Sequence, residues 1–191
     1  MAVYLWLTVK SQKQIMKDYG FYCGAIDSKK DKARKEAILK VNKKYLPKKF
    51  HDDVYYKETD IVLRNLRRLK ECEVKNFKLE EFKCGCGRRY CSGYPVVLNA
   101  QLLINLQTMR DEIGPMTISS GMRCQEYNDS LPGSIENSKH LKGKAVDFYG
   151  KRTETIGGRN EVKKIWKSLP KYGYTYSDTP NMNEAVHVDV K

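Results

Sequence analysis

The stretch "SKHLKGKAVDF", Ser138 to Phe148, carries one of the chain's three histidines and, seven residues later, an aspartate between apolar neighbours. Two ligands on consecutive turns of one helix stand three or four residues apart. A spacing of seven with Gly143 inside does not suit a helix. It suits a loop that delivers His140, followed by a strand, "KAVDFY", that delivers Asp147. In such a strand Val146 and Phe148 point to the face opposite Asp147. A carboxylate among apolar neighbours is costly unless a cation or strong donors meet it. Near the C-terminus, "EAVHVDV" places His187 between two valines. Two histidines and one carboxylate are a common catalytic zinc set, with the fourth position left to water.

Working outward, a helix is expected over about Leu98 to Ile113, with Leu102, Leu106, Met109 and Ile113 on one side and Gly114-Pro115 as its stop. "MTISS" reads as a short strand and "GMRCQEYND" as a turn. A helix near Asn160–Leu169 follows, then a strand "YGYTY" and the final strand "AVHVDV". Strands mixed with two helices predict an α+β domain with a mainly antiparallel sheet.

Upstream, residues 3–72 read as three helices. Leu5, Leu7, Val9, Ile15 and Met16 form the apolar side of the first, and "DYGFYCGAID" interrupts it with two glycines. The second, about Lys32 to Tyr45, carries Ala33, Ala37, Ile38 and Val41, and Pro47 stops it. The third, about Thr59 to Cys72, carries Ile61, Leu63, Leu66 and Leu69, with Thr59 as its N-cap. The expected organisation is a helical domain over 1–74 and an α+β domain over 75–191, with a linker at Glu73–Lys78.

The 191 residues are 40% hydrophobic, enough for packed cores and against wholesale disorder. No apolar run approaches the roughly 18 residues that span a membrane. The opening "MAVYLWLTVK" lacks the basic start and small-residue cleavage site of a signal peptide, so a cytoplasmic origin is expected. The net charge of +13 is uneven: +9 falls in residues 1–75 and +4 in the remainder. Such a bias favours an anionic partner, among them nucleic acid, an anionic membrane surface or an acidic wall polymer, or else is a solvated lysine-rich face. No interleaved aromatic and basic motif supports sequence-specific nucleic-acid binding.

The six cysteines are Cys23, Cys72, Cys84, Cys86, Cys91 and Cys124. Without a secretion signal, a disulfide framework is not the default. "CGCGRRYC" looks like a metal knuckle, yet Cys-x-Cys-x4-Cys lacks the spacing of common zinc modules. That spacing favours a Gly-rich turn with buried thiols. A structural zinc completed by Cys124 is the alternative.

The order "SGMRCQEYN", "SKHLKGKAVDF", "EAVHVDV" resembles the D-Ala-D-Ala carboxypeptidase and phage endolysin branch of the LAS metallopeptidases, zinc enzymes that cut peptide bonds in peptidoglycan. The resemblance spans about residues 76–191. It implies a Zn2+ cofactor held by His140, Asp147 and His187. It makes Arg123 the arginine that holds a substrate carbonyl or carboxylate, a salt bridge being the plainer role, and it makes Ser138 a hydrogen-bonding support. An acid three residues before the last histidine often serves as general base, and here that is Glu184. Because residues three apart on a flat strand face opposite sides, Glu184 must lie in an "NMNE" turn after Asn181 and Asn183. The rival is Asp189, two residues after His187 on the same strand face. The implied chemistry is metal-assisted peptide hydrolysis with a carboxylate base and Arg123 at the developing oxyanion.

"GFYCGAID", "AILKVNKKY" and "TDIVLRNLRRL" are similar to the small three-helix peptidoglycan-binding module, although "LPKKFHDDVYYKE" departs from its Gly-rich connection. Together the two resemblances imply a cell-wall lytic enzyme. It would act on bacterial peptidoglycan as a monomer and stay in the cytoplasm until lysis. The alternative is a zinc-stabilised wall-binding protein without hydrolytic activity.

Overall fold

A computed structural model describes residues 4–179 and 182–191. The chain divides into two compact units, Met1–Arg67 and Arg68–Lys191. The first helix, α1 (Val9–Asp18), starts later than its apolar spacing predicts, because Thr8 caps it by accepting the Ser11 N–H at 3.2 Å. Leu5 and Leu7 therefore precede the helix. Leu5 is exposed, while Leu7 is buried and donates its N–H to Asp60.

Helix α2 has the expected bounds (Lys32–Tyr45) and is capped by Asp31, which accepts the Arg34 N–H at 2.7 Å. Helix α3 (Lys57–Glu71) begins two residues before Thr59. Thr59 is accordingly not the N-cap. Its buried hydroxyl accepts from the Tyr56 N–H and donates to Asn42 Oδ1 at 2.7 Å. Met16, Ile38, Val41, Leu46, Val62, Leu63 and Leu66 make the core of this unit.

In the second unit α4 (Ala100–Ile113), capped by Asn99, is followed by β1 (Thr117–Ser120), α5 (Gln125–Asp129), β2 (Ala145–Tyr149), α6 (Ile156–Ser168), β3 (Tyr172–Tyr176) and β4 (Val186–Val190). The segment "QEYND", expected as part of a turn, is the short helix α5. Residues of the expected linker belong to this unit. The Lys75 and Asn76 N–H groups donate to Gln107 Oε1 on α4 at 3.0 and 3.2 Å.

The sheet runs β1-β2-β4-β3 and every pair is antiparallel, so the unit is α+β. Register sets the site. Val146 pairs with Val188 and Phe148 with Val186, all fully buried on one face. Asp147 pairs with His187 and Ala145 with Asp189 on the other. Helices α4 and α6 supply the apolar cover: Leu102, Leu106, Met109, Val162 and Trp166 have almost no exposed surface. The indole of Trp166 donates to the Asp189 carbonyl at 3.0 Å, tying α6 to β4. One face of the two central strands thus packs the core and leaves the polar residues of the other to the site.

Candidate metal centre and catalytic site

Asp147 and His187 are direct cross-strand partners, and such pairs hold their Cβ atoms about 5 Å apart. The short carboxylate reaches across, and Asp147 Oδ1 lies 2.7 Å from His187 Nδ1. The third member comes from outside the sheet. His140 sits on a single 3-10 turn, Lys139–Lys142, which Gly143 closes in the left-handed region at φ 62°. A Cβ on Gly143 would lie 2.6 Å from the Val97 carbonyl oxygen, so glycine meets both a conformational and a steric demand there. The expected loop-then-strand delivery is what the chain does.

His140 Nε2 lies 3.4 Å from both Asp147 Oδ1 and His187 Nδ1. Three potential ligand atoms thus converge on one point. They form one of two groups among the described residues that are able to hold a metal ion. The donor set fits zinc, which binds imidazole nitrogen and carboxylate oxygen. The tautomers fit as well. His140 Nδ1 donates to the Gly121 carbonyl at 2.7 Å, so in the neutral ring Nε2 presents its lone pair to the cluster. Gly121 is itself packed against the Phe82 backbone, where a Cβ would stand 2.5 Å from the Phe82 carbonyl oxygen.

Electrostatics follow from burial. Desolvation pulls His140 down, favouring the neutral ring that a metal requires. Burial alone would raise the Asp147 carboxyl, but the two imidazoles facing it, His140 and His187, outweigh that effect and hold the group well below the usual carboxylate range. Burial also opposes charge on His187. The hydrogen bonds to Asp147 and Asp189 prevail there and push it up.

The remaining expected residues, Arg123, Asp189, Glu184 and Ser138, all line one cleft and differ in what they face there. Arg123 lies against the other side of Asp147, donating from Nη2 to Oδ2 at 3.0 Å, and its Nε and Nη2 also donate to Ser120 Oγ. It therefore makes a salt bridge at the edge of the site. Asp189 stands behind His187, with Oδ2 3.5 Å from Nε2 and Oδ1 accepting the Tyr174 N–H at 2.8 Å. It is buried and faces the ring nitrogen directed away from the cluster. Glu184 is exposed, in the turn just before β4, and lines the same cleft as the three converging residues. Asn183 in that turn has φ 48°, while Asn181 lies outside the described residues. Ser138 is buried and also lines the cleft, whose volume is about 1130 Å³.

Three contributors escaped the sequence reading. Ser120 anchors the Arg123 guanidinium, Gly121 orients His140, and Tyr176 stacks on His187 with ring centroids 4.4 Å apart and planes 19° from parallel. Tyr176 is the β3 register partner of His187. A strand register would have found it, but only the strands themselves are legible in the sequence. Gly121 acts through its backbone, which carries no side-chain signal.

Residues 75–189, more than half of the chain, match the family described as Peptidase M15. No curated protein matches the chain.

Proposed function

The chain belongs to the Peptidase M15 family, whose members are zinc-dependent metallopeptidases, and from that premise we propose that it hydrolyses a stem-peptide bond of bacterial peptidoglycan. The observation that carries the proposal is the convergence of His140 Nε2, Asp147 Oδ1 and His187 Nδ1, beside Arg123, in an open cleft. These three residues are the proposed ligands. A zinc ion held by them supplies Lewis acidity, polarising a carbonyl and lowering the pKa of a water toward about 7.

The side chains do the rest. Glu184, at the open side of the cleft, takes the proton of the attacking water and returns it to the leaving amine. Arg123 is pre-positioned by Ser120, and its fork offers a fixed positive charge to the carbonyl oxygen or to a terminal carboxylate of the substrate. Asp189 keeps the His187 ring in place through Nε2.

The basic excess of the N-terminal third, and the likeness of its helices to a wall-binding module, support an anionic wall polymer as the partner. In this reading the protein is a cell-wall lytic enzyme of the endolysin type, released at lysis and acting as a monomer. The test is a digest of purified peptidoglycan with and without chelator, with the released fragments read by mass spectrometry. Chelator-sensitive cleavage of one stem-peptide bond is expected, and its identity separates a carboxypeptidase from an endopeptidase. Intact walls with protein bound would leave a zinc-stabilised binding protein instead.

A further inference from the structure

Among the described residues, the second group able to hold a metal is not part of the cleft. Cys84, Cys86, Cys91 and Cys124 place their four sulfurs within 4.8 Å of one another. Cys84 Sγ and Cys124 Sγ are 3.8 Å apart, and Cys86 Sγ and Cys91 Sγ are 3.6 Å apart. A tetrahedron with metal–sulfur bonds of about 2.3 Å has sulfur–sulfur edges of about 3.8 Å. Two of the six sulfur–sulfur edges already have about that length and all six are within 4.8 Å, the spread a four-cysteine zinc site needs. Sulfurs this close leave room for one ion and not for a multinuclear cluster. Four sulfurs without nitrogen or oxygen donors select a thiophilic metal, and a closed set of four is the pattern of a structural zinc.

The surroundings fit thiolates as well as thiols. The Cys124 N–H donates to Cys84 Sγ and the Gly93 N–H donates to Cys91 Sγ, both at 3.4 Å. Such backbone donors offset the charge that metal-bound sulfur carries. The loop is folded back on itself by the Cys84 N–H to the Gly93 carbonyl at 2.8 Å and the Arg89 N–H to the Cys86 carbonyl at 3.1 Å. Cys84, Cys86 and Cys124 are buried, and Tyr127 packs against them. The Cys-x-Cys-x4-Cys spacing favours a plain Gly-rich turn, whereas the four sulfurs stand as the alternative with Cys124 requires.

We propose that Cys84, Cys86, Cys91 and Cys124 bind a structural zinc ion that clamps the 84–91 loop to the segment carrying Arg123. Cys124 directly follows Arg123. The same segment is held from both sides, by the Met122 N–H to the Phe82 carbonyl at 2.9 Å and by the Arg123 N–H to the His140 carbonyl at 3.2 Å. The four-sulfur site thus fixes the backbone from which Arg123 and Gly121 reach the cleft. Metal binding here is independent of whether the protein cleaves peptidoglycan.

The test is metal content, with no reference to activity. Full-length protein is purified without chelator in a non-chelating reductant, and zinc is counted for wild type and for the His140→Ala/His187→Ala double variant. Two ions per chain are expected in wild type and one in the double variant. X-ray absorption of the variant should show sulfur-only ligation at about 2.3 Å. Four of the six thiols should resist alkylation until a strong chelator is added. A double variant that is folded by circular dichroism but binds no metal, or whose thiols all react at one rate with and without chelator, overturns the proposal. Bound iron in place of zinc overturns the assignment of the metal.

Discussion

His187 Nδ1 and Asp147 Oδ1 meet at 2.7 Å from positions that face each other directly across β4 and β2. The pair is built from backbone register, so the reach of each side chain is fixed by the sheet. Asp147→Glu adds one methylene to a carboxylate already in contact and should push it past the point on which His140 and His187 converge. Asp147→Ala removes it. Both variants are expected to lose the cleft zinc after dialysis and to lose hydrolysis, with metal content measured by mass spectrometry. An Asp147→Ala protein that keeps its full metal complement would remove Asp147 from the ligand set.

Glu184 and Asp189 make opposite predictions. Asp189 is buried behind His187 and holds the ring nitrogen away from the cluster, so Asp189→Asn should weaken zinc binding about 10- to 100-fold and leave the loaded enzyme active. Glu184 is exposed in the cleft, so Glu184→Gln should leave zinc affinity unchanged and cut kcat about 10²- to 10⁴-fold. Competition with a chromogenic chelator measures the first quantity, and turnover at saturating metal the second. A fully active Glu184→Gln protein would remove Glu184 as the base.

Arg123→Lys tests whether the fork matters or only the charge. The guanidinium donates to Ser120 Oγ and Asp147 Oδ2 together, which a single ammonium cannot reproduce with the same aim. The loss expected is about 10²- to 10³-fold in kcat, with zinc retained. Arg123→Lys activity equal to wild type would reduce Arg123 to a salt bridge.

What could be read ahead of the structure depended on the range of the interaction. Helix α2 was legible to the residue because Ala37, Ile38 and Val41 repeat at helical spacing and Pro47 ends the pattern. The start of α1 was misplaced because Leu7 is buried from outside the helix, and burial without helicity gives the same apolar letter. Helix α5 was missed because five polar residues have no periodicity to detect. The placement of His140 on a turn and Asp147 on a strand was legible from local spacing, while grouping His187 with them rested on the resemblance and not on any local pattern. Tyr176 was not legible in its role, since it meets His187 through a strand register that no local pattern encodes.

Gly143 gives a structural test of how His140 is delivered. Gly143→Ala must accept φ 62° and a Cβ at 2.6 Å from the Val97 carbonyl oxygen. The strain should cost about 1–3 kcal/mol, which lowers Tm by several degrees in a chain of this size. Because the backbone here cannot give without moving the 3-10 turn, zinc affinity should fall with it. Calorimetry and a zinc titration on the same sample measure both. A Tm drop with unchanged zinc affinity would show that His140 does not depend on the turn.

The helical unit should be acid-sensitive through Asp60. Its fully buried carboxylate accepts from Tyr4 Oη at 2.6 Å, Tyr55 Oη at 2.7 Å, the Leu7 N–H at 2.9 Å and Arg64 Nε at 2.5 Å. Burial alone would raise this carboxyl, but the donors outweigh it and its pKa lies below the ordinary value. A carboxyl depressed in the folded state contributes stability that is full above the unfolded pKa of about 3.9. That stability is lost as pH falls through the lower folded value. Urea unfolding followed by helical circular dichroism should therefore show wild type weakening below about pH 4. Asp60→Asn leaves the partly buried Arg64 against a neutral partner and should cost on the order of 3 kcal/mol at pH 7. It also removes the proton-linked part, so its stability should change less between pH 7 and pH 3 than that of wild type. An equal acid loss in the two proteins would assign the sensitivity to other carboxylates, among them Asp27 and Asp31, which are held low by Lys13.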